Sequence, residues 1–196
     1  MAAKSLTQAQ KAVVGSLADR GDMIARAAVV AQAGRTSLVS GGTPAAKGTN
    51  NVHAALAANA ANAFPGPITN PATPRNVRAV FAASYDGGDV TLVGTDQFNR
   101  AQTEVITAAA GSTVVGVKVW KTITSITKAT VGATANTVSI GTGDLIGLTD
   151  VPVSGSPVLL FTNGVAEAVT FNATANGFTP TTVPNGSVAY VLSFNQ

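Results

Sequence analysis

The sequence predicts a mainly β protein: an antiparallel β-sandwich or barrel-like domain preceded by an N-terminal helical segment and an extended arm. Three observations carry that expectation. With 45% hydrophobic and only 11% charged residues, the chain has enough apolar material for a core and lacks the high charge of a disordered one. The apolar residues are mostly Ala and Val, only 5% are aromatic, and 20 glycines with many Thr, Asn and Ser residues punctuate short runs, a texture that favours strands and turns. From Arg75 onward, short β-branched runs alternate with turn signals at the spacing of a sandwich or barrel.

Residues 1–34 read as helical. Ser5 followed by Gln8 has the capping-box form, and Leu6, Ala9, Val13 and Leu17 recur at helical spacing, which predicts a helix from about Ser5 to Asp19. Gly21 and Asp22 break it. A second helix over Met23 to Ala33 follows, with Asp22 as N-cap and Gly34 as its left-handed stop. Its apolar residues, Ile24, Ala27, Ala28, Val30 and Ala31, run almost all round. That fits either a small helix in a groove of something larger or one packed on its own domain.

Residues 35–75 change texture. Pro44, Pro65, Pro67, Pro71 and Pro74 remove backbone donors, so most of this stretch is expected to be irregular, with one short helix capped by Asn51 and running through about Ala63. A connection of about forty residues inside a compact domain points to a linker, a functional loop or an arm. Its Ala, Val, Ile and Leu content favours an extended arm that orders against a neighbouring subunit.

Residues 76–196 form the β-domain. Strands are expected at about Val77–Ala83, Val90–Val93, Gln102–Ala108, Val117–Thr127, Thr137–Gly141, Val158–Phe161, Ala166–Phe171 and Ser187–Phe194, separated by YDGGD, GTDQFN, AAGS, GTGD, SGSP, TNG and PNG. In VKVWKTITSIT, Val117 to Thr127, a strict two-residue period cannot keep Val117, Val119, Ile123 and Ile126 on one face. A bulge or break is therefore expected near Lys121 or Thr124. Trp120 reads as a packing residue.

Charge is uneven. Residues 1–78 hold eight cations against Asp19 and Asp22, a balance of +6, whereas residues 79–196 hold four cations against seven carboxylates, a balance of −3. The positive residues are scattered singly, and Phe64 is the lone aromatic in that basic part, so no nucleic-acid surface is expected. No run approaches the length of a membrane span, and the start MAAKSLTQAQK lacks the apolar stretch of a secretory signal, so no membrane association and synthesis in a cytoplasm are expected.

The residue types that carry chemistry read as structural. There is no cysteine, which removes thiolate metal sites and a Cys nucleophile. His53 is the single histidine and lies in an alanine-rich stretch, unsuited to a Ser-His-Asp triad. Asp86, Asp89 and Asp96 lack the ligand series of a calcium loop and supply what hairpin turns need. Glu104 and Glu167 lie on expected strands, with Glu104 read as outward-facing, and nothing brings the pair together for glycoside chemistry. Gly141, Gly143 and Gly147 miss dinucleotide-loop spacing. No catalytic residue, cofactor or metal is therefore assigned, and an enzymatic role is not expected.

The run TPRNV, then VTLVGTDQFNRAQTEVITAAAGSTVVGVKVWKTITSIT, then NTVSIGTGDLIGL, with the final PNGSVAYVLSF, resembles a β-rich module of tailed-bacteriophage virion structural proteins of the head decoration or cement type. The matching features are the PRNV entry, the GTD turn, the TE.IT strand, the KTITSIT ending and the SIGTGD..GL close, over roughly residues 73–148. The resemblance implies a capsid decoration protein in the virion, assembled in the host bacterial cytoplasm. It would be a homo-oligomer such as a trimer, bound to the major capsid protein or other virion subunits. Related modules in necks, tails and fibre bases are the alternative, and a carbohydrate- or receptor-binding β-sandwich is a third reading disfavoured by the scarcity of aromatics. On the decoration reading the helices and arm grip the shell, and the partner-binding candidates are Ile24, Arg26, Val30, Arg35, Lys47 and Arg75.

Overall fold

The computed structural model describes residues 36–152 and 159–195. Within them the chain forms thirteen strands: β1 (Thr36–Gly42), β2 (His53–Ala57), β3 (Arg75–Phe81), β4 (Val90–Thr95), β5 (Ala101–Ile106), β6 (Thr113–Trp120), β7 (Thr122–Lys128), β8 (Thr137–Gly147), β9 (Leu159–Thr162), β10 (Val165–Glu167), β11 (Val169–Asn172), β12 (Gly177–Pro180) and β13 (Tyr190–Asn195). The helices expected over residues 5–33 lie outside the described residues.

The strands pair antiparallel in three sheets, ordered β5-β4-β7, β11-β12-β8-β3-β6 and β1-β13-β9-β10, and part of the fold curls into a half-barrel. β8 is the spine. One of its edges pairs with β3 along most of its length, while the other is shared by β2 near Val138 and Ile140 and by β12 near Ile146 and Gly147.

That shared strand joins two apolar clusters. The larger one gathers Val77, Leu92, Trp120, Ile126 and Ile140 with Val52, Leu56 and Phe64. The smaller one gathers Ile146 and Leu148 with Leu160, Phe178, Tyr190 and Leu192. Alternation explains who faces inward: in β4, Val90 and Leu92 are buried while Val93 is exposed, as a period-2 strand with one buried face requires.

VKVWKTITSIT divides as its spacing predicts. β6 ends at Trp120, Lys121 interrupts, and β7 begins at Thr122. The pairing of β4 with β7 then slips between Val93 and Gly94, with Thr124 as the extra residue, and this puts both Ile123 and Ile126 inside. Trp120 is fully buried in the core.

The arm is a correction. Residues 36–75 do not stand off the domain: β1 adds to β13, β2 adds to β8, and Val52, Leu56, Ala58 and Phe64 enter the larger core. The expected helix over Asn51 to Ala63 is absent, and β2 with turns takes its place. Asn51 caps no helix; its Oδ1 accepts from Thr142 N and its Nδ2 donates to Thr142 Oγ1.

The proline-rich remainder, poor in its own donors, is stitched down by donors from the body. Arg75 Nη1 donates to Ala45 O, Arg78 Nε to Gly48 O, and Ser139 Oγ to Thr49 O. Gly141 permits this approach, because a Cβ there would collide with the carbonyl oxygen of Gly48.

Three strands have no counterpart in the expected pattern: β1, β2 and β12. The run expected as one strand over Ala166 to Phe171 splits at Ala168 into β10 and β11, which belong to different sheets.

Candidate functional site

The most elaborated local structure lies around Asn76 on β3. On one side, Asn76 pairs with Val119 and Arg78 with Val115, so β6 carries two extra residues over Gly116–Lys118. On the other, Arg75 pairs with Ile146 and Val77 with Thr142, so β8 bulges over Gly143–Leu145. Both neighbours of one strand therefore bulge at the same level, and bulges free backbone groups that need new partners.

Side chains supply them. Asn76 Nδ2 donates to Gly116 O at 2.8 Å, and its Oδ1 accepts from Leu145 N at 3.0 Å. Glu104 closes the β6 bulge: Oε1 accepts from Val117 N at 2.6 Å and Lys118 N at 3.2 Å, and Oε2 accepts from Trp120 Nε1 at 3.0 Å. The expectation that Glu104 faces outward is corrected here, since it is buried. A carboxylate can be held inside when N–H donors surround it. Gly116 is needed beside it, because a Cβ there would lie 2.8 Å from Glu104 Oε2.

Above this bulge opens a cleft of about 480 Å³, at the junction of three segments: the β4–β5 loop, the turned-out residues Val117 and Lys118, and the β11–β12 turn. Gln97 reaches across it, donating from Nε2 to Ala175 O and Asn176 O. Asp96 organises the loop by accepting from Phe98 N, Arg100 N and Arg100 Nε at 2.7–2.9 Å. The Arg100 guanidinium lies over the Phe98 ring, 4.9 Å from its centroid.

The remaining candidate residues are engaged in the fold. His53 is buried, with Nδ1 2.7 Å from Ala54 O, Nε2 2.8 Å from Pro65 O and its ring edge-on to Phe64. Asp86 ties down the 133–134 turn by accepting from Ala133 N, Thr134 N and Thr134 Oγ1, and Asp89 accepts from Ala108 N. Glu167 accepts from Thr182 N in another sheet from Glu104. Lys128, whose role the pattern did not reveal, is buried with Nζ donating to Ala58 O, Ala60 O and Thr130 O, and this desolvation lowers its pKa. Among the described residues no group of three or more His, Asp or Glu side chains converges as metal ligands would.

Of the partner-binding candidates, Ile24, Arg26, Val30 and Arg35 lie outside the described residues. Lys47 is exposed and pairs with Asp144 at 2.7 Å. Arg75 is a correction: it is buried, and its guanidinium binds Ala45 O and Gly143 O of its own chain. Its burial also lowers its pKa, against the opposing pull of Asp144. A guanidinium so enclosed is not a surface group for a partner.

Three carboxylates are tuned by these contacts. Hydrogen bonds from Thr134 and from the backbone of Ala133 hold Asp86 below the usual carboxylate range. Burial pushes Asp96 and Glu167 up, but the bonds from Arg100 and Phe98, and from Thr182, outweigh it and leave both lowered. Each folded pKa lies below its unfolded one, so the stabilisation is complete above about pH 5 and is lost as pH falls through the lowered values. Thermal unfolding is expected to give a melting temperature nearly constant from about pH 7 to 5 and falling steeply below about pH 3.5. A melting temperature that rises on acidification would contradict this assignment.

Comparison with known protein families, with curated proteins and with solved structures finds no match to this chain.

Proposed function

We propose that this chain is a structural protein of a tailed-bacteriophage particle, a capsid decoration or cement protein. It acts by covering and bracing the major capsid shell, not by transforming a substrate. The observation that carries the reading is the uncharged outward face of the β5-β4-β7 sheet. Val93 and Val105 stand exposed on β4 and β5, and the outward positions of β4, β5 and β7 are otherwise Ala, Thr and Ser. A low-charge apolar surface of this kind favours association with other copies or with a neighbouring subunit.

Two further observations support it. The run that carries the resemblance, residues 73–148, corresponds to β3–β8, the inner frame of the fold. The acidic and basic residues with catalytic potential are engaged in holding turns and bulges. The gripping element narrows to residues 1–35, because residues 36–75 belong to the body. That segment carries Lys4, Lys11, Arg20, Arg26 and Arg35 against Asp19 and Asp22, with Ile24 and Val30 as apolar anchors. Cations at a rim set register and attraction more than affinity. A trimer formed through this outward face of β5-β4-β7 is the assembly proposed.

Deleting residues 1–35 is expected to abolish co-sedimentation with capsid shells while circular dichroism of the remaining body keeps its β signature. Undiminished co-sedimentation would overturn the assignment of that segment.

A further inference from the structure

We propose that the cleft above the β6 bulge is a docking site for an acidic, extended peptide segment of a partner subunit. Charge places it there. The described part of residues 79–196 has a negative balance, yet its cations other than Lys128 collect at this cleft: exposed Arg100 and half-buried Lys118, whose Nζ donates to Thr103 O, line it, and Lys121 is held beside it by Asn99 Oδ1. The fourth cation, Lys128, is buried elsewhere. The two carboxylates of the neighbourhood do not answer them in full. Glu104 is buried beneath the bulge on backbone and indole donors, and Asp96 is engaged by loop N–H groups and one edge of Arg100. The Arg100 side chain remains 71% exposed.

The rest of the lining favours a peptide. Gln102 Nε2 donates to Val119 O and Asn172 Oδ1 accepts from Ala175 N, which leaves Gln102 Oε1 and Asn172 Nδ2 to pair with a main chain, and Val117 and Val119 give an apolar floor and wall. A sugar would call for an aromatic platform. No ring lines the cleft, and Phe98 is covered by the Arg100 guanidinium. The bulge is what turns Val117 and Lys118 outward, so the Glu104 brace and the docking surface are parts of one device. The inference goes beyond the capsid reading and does not rest on it, since any protein presenting such a segment would serve.

The test is fluorescence anisotropy of the full-length chain with a labelled peptide of about a dozen alternating glutamate and alanine residues, at about 50 mM salt where charge attraction is little screened. Saturable binding is expected, about tenfold weaker in the Arg100→Gln, Lys118→Gln double variant and unchanged in Val165→Glu, which alters charge outside the cleft. The matching glutamine and alanine peptide is expected not to bind. Circular dichroism of the double variant keeps its result interpretable, and Lys121→Gln alone, which touches no bulge, is expected to weaken binding in the same direction. Equal binding of both peptides, no binding of either, an unchanged affinity in the folded double variant, or displacement of the acidic peptide by a sulfated oligosaccharide at far lower concentration would each overturn the proposal.

Discussion

Replacing Glu104 by alanine is expected to destabilise the fold by about 4 kcal/mol, since each buried donor left without an acceptor costs about 1–3 kcal/mol. Three donors lose theirs at once: Val117 N, Lys118 N and the Trp120 indole. The space beside Gly116 also opens, so a cavity adds to the unpaired groups. Glu104→Gln keeps one acceptor and turns an amide N–H₂ toward the other donors, so a loss of about half that size is expected. Urea denaturation with unchanged m-values measures both. A loss below about 1 kcal/mol for the alanine variant would mean that the carboxylate does not hold the bulge.

Leu56→Asp is the second large effect, about 4 kcal/mol or more, because it buries a carboxylate among apolar neighbours with no donor arranged for it. Leu56 pairs opposite Val138 and packs in the larger core. The substitution separates two accounts of residues 36–75. If that stretch were an arm that orders on a partner, the isolated chain would be as stable as wild type. As part of the body it must lose stability before any partner is added. Val183→Asp, at an exposed position, is expected to change stability by less than about 0.5 kcal/mol.

The β-domain was legible wherever alternation and turn chemistry act locally. β4, β5 and the start of β8 follow from short β-branched runs between Gly- and Asp-bearing turns, and the break at Lys121 follows from four aliphatics that no uninterrupted strand can place on one face. The residues 36–75 misled for a physical reason. Proline content and alanine runs describe what a segment cannot do alone, whereas β1 and β2 are made by edges offered from β13 and β8, far along the chain. Asn51 reads as a helix cap until Thr142, which is 91 residues away, is seen to take both ends of its amide.

The candidate site was not legible: Glu104 was expected outward and is buried. QTEVI reads as a strand with Glu104 outward, and the overlooked signals are that Glu104 shares the period-2 face of Ile106 and that Gly116 interrupts TVVGVKVW. Their meeting is set by three-dimensional pairing, in which β6 carries two extra residues against β3 and needs an acceptor for the N–H groups this frees. Lys128 is similar: a terminal lysine on β7 reads as solvated until the carbonyls of Ala58, Ala60 and Thr130 are found around it.

On the proposed function, this protein covers a shell in many copies, held there by its first 35 residues. Electron cryo-microscopy of purified particles, with copy number read from the same sample by quantitative gel densitometry, tests it most directly. The expected result is on the order of hundreds of copies in symmetric clusters on the capsid exterior, with residues 1–35 against the major capsid subunits and the β-body outward. About a dozen copies or fewer confined to the neck, tail or fibre base, or a body with residues 1–35 folded back on it and touching no shell subunit, would contradict it.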